Sequence, residues 1–364
     1  MKSEIFFMER AIDLAKKGTF TSSPNPSVGC VIVEGNKILS ESFHLKSGTE
    51  HAEIIALKKL KKKINKKMIM FVNLEPCCHQ GKTGPCTKAI IDSGIKNIVV
   101  SMLDPNPKVK GKGVKELRSN GINVDVGLCK EKSKKINLGF ISRFEKKRPY
   151  VLTKQAISLD FKITNPSSKW ISNKQSRDDV HYLRAKSCAI LVSSNTIISD
   201  NPKLTVRIDK SKLNIDNKLR NPVRVVLDTK LSLNINKYNF FNGKDKKIVF
   251  NSLLNNTNTE KNIDFVKVEK DKSGINLKSI MRILAEKYEI NYLMVEPGKK
   301  LFTNLLLKNL LDEIVIYKSS VIIGDSGLSC IGSIKSFSKE NIIHTESITK
   351  FSNDVKIIYK ILRK

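Results

Sequence analysis

One histidine, one glutamate and two cysteines in two short motifs constrain the fold of this chain more than any other feature. The first motif is His51-Ala52-Glu53, and the second, from Glu75 to Cys86, contains Cys77. One imidazole and two thiolates supply three zinc ligands and leave the fourth position open for water. Both segments begin predicted helices, whose N-terminal partial positive charge favours thiolates. The chain must therefore bring two helix N-termini together at one metal ion.

Glu53 gives this predicted metal site a catalytic interpretation. It follows His51 too closely to complete the same tetrahedron, yet it can reach a zinc-bound water, whose pKa falls to about 7. A carboxylate there can take the proton of the water and pass it to departing ammonia. Zinc deaminases usually have two residues between their cysteines, and this chain has eight. The alternative is a structural zinc site completed by Cys78 or His79, in which Glu53 would have no role.

Length and composition predict a folded, two-domain protein. The chain has 364 residues, of which 40% are hydrophobic and 28% charged. The sequence contains no run of eighteen apolar residues, so no membrane-spanning helix is predicted. The apolar spacing at the start predicts an amphipathic helix over 3–17 and not a signal peptide. Three of the seven cysteines fall within ten residues, which favours metal chemistry over disulfides. We therefore expect a cytoplasmic protein with no membrane association.

The formal net charge of +31 suggests a nucleic-acid partner, because lysine and arginine neutralise phosphates. The lysines are instead spread along the whole chain, and asparagine is abundant beside them between Asn255 and Asn262. Aromatic residues that would stack on bases make up only 6% of the chain. A general enrichment of lysine and asparagine along the whole chain explains this charge better than a nucleic-acid-binding surface does. We therefore expect no nucleic-acid partner. A phosphorylated small substrate would also suit a basic site.

The order of predicted elements divides the chain. Helices and strands alternate from residue 3 to about 127, which predicts a layered α/β domain with helices covering a sheet. A basic segment, Lys130–Arg148, follows, and Pro149 with renewed apolar alternation marks a boundary. We therefore predict a first domain at 1–147 and a second at 148–364. In the second, the pattern predicts strands at 188–193, 223–228, 247–250, 292–296, 312–317 and 355–361, and helices near 173–186, 276–288 and 300–309.

Three runs in the first domain resemble one bacterial family. They are Pro24–Val33 (PNPSVGCVIV), the zinc run Glu75–Cys86 with its long cysteine spacing, and Asp104–Gly113 (DPNPKVKGKG). In this order they resemble the bifunctional riboflavin-biosynthesis enzymes, the diaminohydroxyphosphoribosylaminopyrimidine deaminase/5-amino-6-(5-phosphoribosylamino)uracil reductases. Cys78 stands where that family has serine and Gly84 where it has proline, and neither change removes a ligand.

The resemblance covers nearly the whole chain. In the second half it is carried by the runs Ser158–Asp160, Trp170–Ser172, Ser194–Arg207 and Glu296–Gly298. It implies a cytidine-deaminase-like three-layer α/β domain followed by a dihydrofolate-reductase-like α/β domain, with zinc and NADPH as cofactors. The second fold binds NADPH without a GxGxxG fingerprint, and no such fingerprint follows a predicted strand here.

The resemblance also implies functional residues, position by position. Glu53 would be catalytic, and the zinc ligands would be His51, Cys77 and Cys86. The deaminase substrate is expected at Asn25, His44, His79 and Lys82. The reductase substrate is expected at Ser168, Arg184, Leu204, Arg207 and Glu296, where two arginines would suit a ribose phosphate. NADPH is expected at Ala156, Trp170, Thr196, Asp200, Gly298, Lys299, Lys300, Leu301, Phe302, Thr303 and Asn304.

The implied function is the hydrolytic deamination of 2,5-diamino-6-(5-phosphoribosylamino)pyrimidin-4-one, followed by NADPH-dependent reduction of its ribosyl group to ribityl. The expected partner is this phosphorylated pyrimidine, and we expect a homo-oligomer. Phe161 stands where the family has glycine, and Pro297, Lys299 and Lys300 alter the turn that should approach the cofactor phosphates. The alternatives are a monofunctional deaminase with a decayed reductase half and a nucleic-acid-editing deaminase. The second of these leaves the C-terminal domain unexplained.

Overall fold

The computed structural model describes residues 3–81, 84–208, 219–258, 260–334 and 341–363. Contacts divide these residues into two compact units, of which one ends at Lys147 and the other begins at Arg148. The helices are α1 (Glu4–Lys17), α2 (Ala52–Lys59), α3 (Cys86–Ser93), α4 (Lys112–Ser119), α5 (Lys130–Ile136), α6 (Leu138–Glu145), α7 (Lys174–Lys186), α8 (Ser194–Asp200), α9 (Leu277–Glu286) and α10 (Lys299–Leu307). The described residues include no helix with the length and apolar character needed to cross a bilayer.

The strands form one sheet in each unit and one small ribbon. They are β1 (Gly29–Glu34), β2 (Lys37–Phe43), β3 (Met68–Val72), β4 (Asn97–Val100), β5 (Asn123–Val126), β6 (Tyr150–Ile157), β7 (Ala189–Ser193), β8 (Val223–Leu227), β9 (Lys247–Asn251), β10 (Asn256–Asn258), β11 (Ile263–Lys267), β12 (Lys270–Asp271), β13 (Gly274–Ile275), β14 (Tyr292–Val295), β15 (Glu313–Lys318), β16 (Asn341–Phe351) and β17 (Asp354–Arg363). The ribbon is the β12–β13 pair.

The first unit is a three-layer arrangement around a five-stranded sheet with the order β2-β1-β3-β4-β5. Strand β1 is buried along most of its length, as expected for a strand that helices cover on both faces. Helix α1 packs on one face, and helices α2, α3 and α4 contribute to the apolar cluster on the other. A Cβ atom at Gly29 would lie 2.0 Å from the Ala11 carbonyl oxygen, so glycine is what lets α1 approach β1 so closely.

The basic segment before the boundary is helical. We predicted only a polar stretch between Lys130 and Arg148, whereas α5 and α6 occupy most of it. Phe140 of α6 is buried against Leu74 and Met102, and the Asn137 side chain bonds both the N–H and the carbonyl of Ser27. A few apolar residues and one buried asparagine therefore fasten a lysine-rich segment to the first unit.

The second unit is built on a ten-stranded sheet with the order β10-β11-β9-β8-β7-β14-β6-β15-β17-β16. Neighbouring strands from β11 to β15 run parallel, with antiparallel pairs at both ends. Strand β6 lies between β14 and β15, so its partners come from much later in the chain. In open α/β sheets of this kind, ligands bind beyond the carboxyl ends of the parallel strands.

The hairpin of β16 and β17 forms one end of this sheet. Strand β16 pairs with β17 on one side only, and residues 342–350 are exposed. Its exposed side chains include Ile342, Ile343 and Ile348. We did not predict β16, because a strand exposed on both faces lacks the alternation of apolar and polar residues by which strands are recognised.

Candidate active sites

Three side chains in the first unit form a cluster that suits a metal ion. His51 immediately precedes α2, Cys86 begins α3, and Cys77 follows β3. One ligand atom from each lies within 4.8 Å of the others, and the His51 Nδ1 atom is 3.2 Å from the Cys86 sulfur and 3.5 Å from the Cys77 sulfur. Nitrogen and sulfur donors at such separations fit a tetrahedral zinc ion with one position left for water.

The peptide around Cys77 is held in place by Glu75. This carboxylate is 3% exposed and accepts the backbone N–H groups of Asp104, Gly111 and Val114 at 2.9–3.0 Å. A Cβ atom at Gly113 would lie 2.2 Å from the Pro76 carbonyl oxygen, so glycine is needed where α4 meets this peptide. The motif Asp104–Gly113 thus supports the metal cluster through the main chain.

The environment of the cluster suits thiolate ligands and a proton carrier. A hydrogen bond from Cys86, reinforced by His51, lowers the pKa of the Cys77 thiol to about 4. Burial raises the pKa of the Glu53 carboxyl, which is 3% exposed. Its Oε2 atom has no hydrogen-bond partner in the described parts of the chain. Leaving a buried oxygen without a partner costs free energy unless a ligand or water meets it, so this atom is the candidate for contact with a reacting group.

Cys78 points away from the cluster. Its thiol donates to the Lys108 carbonyl oxygen at 3.8 Å, and it does not belong to the group formed by the three ligands. The structural-zinc alternative needs a fourth protein ligand from Cys78 or His79. Neither residue joins the group within the described residues, so the arrangement favours the catalytic interpretation.

The residues expected at the deaminase substrate have different environments. His44 is 2% exposed, and its ring nitrogens contact the Asn25 amide and the Glu50 carbonyl oxygen, each at 3.1 Å. Both ring nitrogens of His44 are therefore engaged, and the contact with Asn25 orients the amide of that residue. The Nδ1 atom of His79 is buried without a partner among the described residues. Lys82 lies outside the described residues.

Three charged residues, Arg184, Glu296 and Lys154, form a buried group in the second unit, and only the first two were predicted from the sequence. Arg184 of α7 makes two hydrogen bonds to Glu296, at 2.9 and 2.7 Å, and both side chains are largely buried. Lys154 of β6 belongs to the same group. Burial lowers its pKa, and the charges of Glu296 and Arg184 act on it in opposite directions. We did not single out Lys154, although a lysine inside an apolar strand was a signal available in the sequence.

A second basic group lies beside this one. Burial, then Arg184 and Arg207, lower the pKa of His181 to about 4, so this ring is neutral at physiological pH. Its Nδ1 atom accepts the backbone N–H of Arg207 at 3.2 Å. His181 precedes Arg184 by one helical turn, a spacing that could have been noticed in the sequence. Burial and the charge of Arg184 also lower the pKa of Arg207, whose guanidinium stays accessible to an anion.

Two other residues expected at the reductase substrate differ in exposure. Leu204 is 1% exposed and its side chain packs in the core, so any contact with substrate has to go through its main chain. Ser168 is exposed, and its hydroxyl bonds both the N–H and the carbonyl of Trp170 at 3.2 Å. Ser168 thus shapes a turn that presents Trp170, which is 54% exposed.

The residues expected at NADPH lie on separate elements of the second unit. Ala156 is on β6, Thr196 is in the first turn of α8, and Asp200 ends that helix. Gly298 caps α10, where a Cβ atom would meet nothing within 4 Å. This open space lies before free backbone N–H groups of a helix N-terminus, an arrangement that binds phosphates. Leu301, Phe302 and Thr303 are buried and anchor the helix, and Asn304 donates to the Ser273 carbonyl.

The two departures from the family have different structural consequences. Gly298 has a φ of −77° and Pro297 is not among the residues with positive φ, so neither position is held in the left-handed conformation that glycine favours. Phe161 has a φ of +62°, a conformation that glycine adopts freely and other residues adopt at a cost of about 1–2 kcal/mol. Its ring is exposed beneath the Lys318 ammonium, 4.5 Å from the ring centroid. The chain carries this strain without losing the turn after β6.

Comparison with known proteins identifies the family. Residues 1–102 match the cytidine and deoxycytidylate deaminase zinc-binding region, and residues 149–357 match the RibD C-terminal domain. The riboflavin biosynthesis protein RibD of Aquifex aeolicus is 38% identical over 358 residues, 97% of each chain. The chain belongs to the RibD family. RibD of Escherichia coli is 36% identical over 326 residues, 88% of each chain.

Solved RibD structures share the fold over the full length. The structure of Acinetobacter baumannii RibD has a TM-score of 0.87 and 30% identity over 99% of both chains. That of a diaminohydroxyphosphoribosylaminopyrimidine deaminase/5-amino-6-(5-phosphoribosylamino)uracil reductase from Thermotoga maritima has a TM-score of 0.84 and 36% identity over 98% of both chains. The predicted fold class is confirmed, with a cytidine-deaminase-like domain before a dihydrofolate-reductase-like one. Like the RibD family, the chain is a bifunctional deaminase and reductase of riboflavin biosynthesis, with zinc and NADPH as cofactors.

Proposed function

We propose that residues 1–147 deaminate 2,5-diamino-6-(5-phosphoribosylamino)pyrimidin-4-one and that residues 148–364 reduce the ribosyl group of the product to ribityl. The deaminase assignment is supported by the Oε2 atom of Glu53, which is buried without a hydrogen-bond partner among the described residues and lies near three potential zinc ligands. The substrate follows from the activity that names the T. maritima relative, which matches nearly the whole chain. The intact Arg184–Glu296 pair disfavours a decayed second half.

In the deaminase step, His51, Cys77 and Cys86 would hold zinc. Bound zinc would lower the pKa of its water to about 7, which would make a nucleophile available to a ring carbon at neutral pH. Glu53 takes the proton of that water and delivers it to the departing ammonia, a role for which burial raises its pKa. Asn25, oriented by His44, and His79 face the pyrimidine in this assignment.

In the reductase step, Arg184 and Arg207 flank the substrate phosphate, with the neutral His181 between them. NADPH supplies the hydride. Glu296 and Lys154 form the adjacent buried acid–base group from which a proton can be exchanged with the substrate. The N-terminus of α10, with Lys299 and Lys300, would receive the cofactor phosphates, and Trp170 would cover the cofactor from the turn before α7.

The experiment that tests this function is mass spectrometry of the products formed by zinc-loaded protein. Supplied with the diaminopyrimidinone ribosyl phosphate alone, the enzyme should exchange one amine for oxygen. Added NADPH should then give a product with two further hydrogens. Exchange without reduction would mean that the second half is inactive, and no exchange with zinc bound would refute the proposed substrate.

We further propose that the chain forms a homo-oligomer through β16. An eleven-residue edge strand with free N–H and C=O groups is prone to pair with another chain. In such pairing the exposed isoleucines Ile342, Ile343 and Ile348 would gain cross-strand neighbours. We propose a second copy of this chain as the partner of β16, because two identical edge strands that pair antiparallel are related by a two-fold axis.

Sedimentation of the Ile348→Lys variant tests this assembly. Cross-strand side-chain contacts contribute about 0.2–1 kcal/mol each, and a two-fold axis forms each contact twice, so the dissociation constant should rise about 2- to 30-fold. Leu253→Lys is the matched control, since Leu253 is 57% exposed in the loop after β9 and should not affect assembly. A wild-type protein that stays monomeric at micromolar concentrations would refute the proposal.

We also propose that the enzyme acts in the cytoplasm and needs no nucleic-acid partner. All seven cysteines are described and none of them is in a disulfide, as expected of a protein from a reducing compartment. The proposed substrate is a small phosphate ester, for which the basic groups around Arg184 provide a site.

A further inference from the structure

The turn of the C-terminal hairpin contacts the beginning of helix α7. Asp354, the first residue of β17, is 3% exposed. One of its carboxylate oxygens accepts the Asn173 backbone N–H at 2.8 Å and the Ser176 hydroxyl at 2.7 Å. The Asn173 amide in return donates to the Phe351 carbonyl oxygen at 2.6 Å. The first N–H groups at a helix start lack intrahelical partners, and a negative charge there also interacts favourably with the helix dipole.

The first turn of α7 in turn holds Trp170. The guanidinium carbon of Arg177 lies 4.6 Å from the centroid of the Trp170 ring, a cation–π contact. Arg177 also donates to the Ser172 carbonyl oxygen, which fixes the direction of its side chain. The segment from Asn165 to Ser172 has no helix or strand of its own. The position of Trp170 therefore depends on α7, and the start of α7 depends on the hairpin.

We propose that Asp354 is a positioning residue of the reductase site, which acts through Ser176 and Arg177 to hold Trp170 where NADPH binds. This inference rests on the proposed assignment of Trp170 to the cofactor. Asp354 does not touch ligand itself, since it is buried and faces α7. The simpler alternative is that Asp354 only stabilises the fold. The two differ in one respect, because only a positioning residue changes the mobility of Trp170 and the affinity for NADPH.

Trp170 provides the measurement, because it is the only tryptophan in the chain. NADPH absorbs where tryptophan emits, so binding near Trp170 quenches its fluorescence. We would titrate the full-length, zinc-loaded protein with NADPH and record both the quenching and the fluorescence anisotropy. Deaminase turnover, measured on the same samples, reports whether the protein is otherwise intact.

Three variants separate the interpretations. Asp354→Ala removes the acceptor for both hydrogen bonds and should raise the dissociation constant for NADPH about tenfold, which corresponds to about 1.4 kcal/mol, and lower the anisotropy. Asp354→Asn keeps an acceptor oxygen and should give an intermediate value. Ser176→Ala removes a single contact and should show a smaller change in the same direction, even if the first variant does not fold.

Asp264→Ala is the matched control. Asp264 accepts hydrogen bonds from Lys246 and Tyr288, and its strand β11 lies near the opposite end of the sheet. This variant should bind NADPH like the wild type. If the Asp354 and Ser176 variants lower thermal stability but leave NADPH affinity and anisotropy unchanged, the positioning role is wrong while the proposed function stands. If NADPH is oxidised by the wild type without quenching Trp170, the assignment of Trp170 to the cofactor fails, and this inference fails with it.

Discussion

Glu53→Gln should lower deaminase turnover by about 10²–10⁴-fold, the usual contribution of a general acid–base group. Glutamine keeps the size of the side chain but cannot accept and release the proton that moves from water to ammonia. Zinc content should stay at the wild-type level, because the ligands are His51, Cys77 and Cys86. Reductase turnover with the deaminated intermediate should also be unchanged, since the reductase residues belong to the other unit. Metal analysis and the two separate assays check these expectations.

Glu50→Gln is the control for that change. Glu50 lies three residues before Glu53, and its carboxylate pairs with Lys58 at the surface. Because exposed pairs contribute little, this variant should deaminate at the wild-type rate. Undiminished turnover in Glu53→Gln would remove Glu53 from the mechanism. A parallel loss of zinc and activity would instead give it a structural role.

Arg184→Leu should abolish the reductase reaction and destabilise the second unit by about 3–5 kcal/mol, the range for breaking a buried ion pair. Burial would by itself raise the pKa of Glu296, but the charges of Arg184 and Lys154 outweigh it and the pKa is lowered. Without Arg184, the buried carboxylate of Glu296 loses both hydrogen bonds from that guanidinium and its opposite charge. Calorimetry should show a lower transition for the second unit, and NADPH consumption should stop.

Two further variants give that prediction its controls. Arg184→Lys retains the charge but cannot make both bonds to Glu296, so we expect a stable protein with reduced reductase turnover. Arg282→Leu breaks an exposed ion pair with Glu286 on α9 and should cost at most about 1 kcal/mol. Deaminase turnover should be unaffected in all three proteins. Normal reduction by Arg184→Leu would contradict the assignment of this arginine to the site.

The sequence predicts the metal cluster well and the reductase site less completely, for a physical reason. His51, Cys77 and Cys86 belong to residue types that rarely occur together except around a metal, and their spacing is specific. Lys154 and His181 are single residues without a motif, and only burial beside Arg184 and Glu296 gives them their altered pKa values. Burial of this kind is a property of tertiary packing and is not encoded locally.

The same distinction applies to the fold. Elements with one apolar face, such as α1 and α9, were predicted within a few residues, because their pattern follows from the layer they cover. Strand β16 escaped prediction because neither face is buried within one chain. Helices α5 and α6 were not predicted, because their few buried apolar residues, such as Phe140, are separated by many charged residues and give no clear helical pattern.

The strand order of the second sheet has a consequence for synthesis on the ribosome. The five strands of the first unit all lie between Gly29 and Val126, so that unit can fold as soon as it emerges. Strand β6 has to wait for β14, which begins at Tyr292. At about 5–20 residues per second this interval lasts roughly 7–30 s, during which an apolar strand has no partner on either side. Nascent chains paused in this interval should therefore be the form that chaperones hold, with the deaminase half already folded.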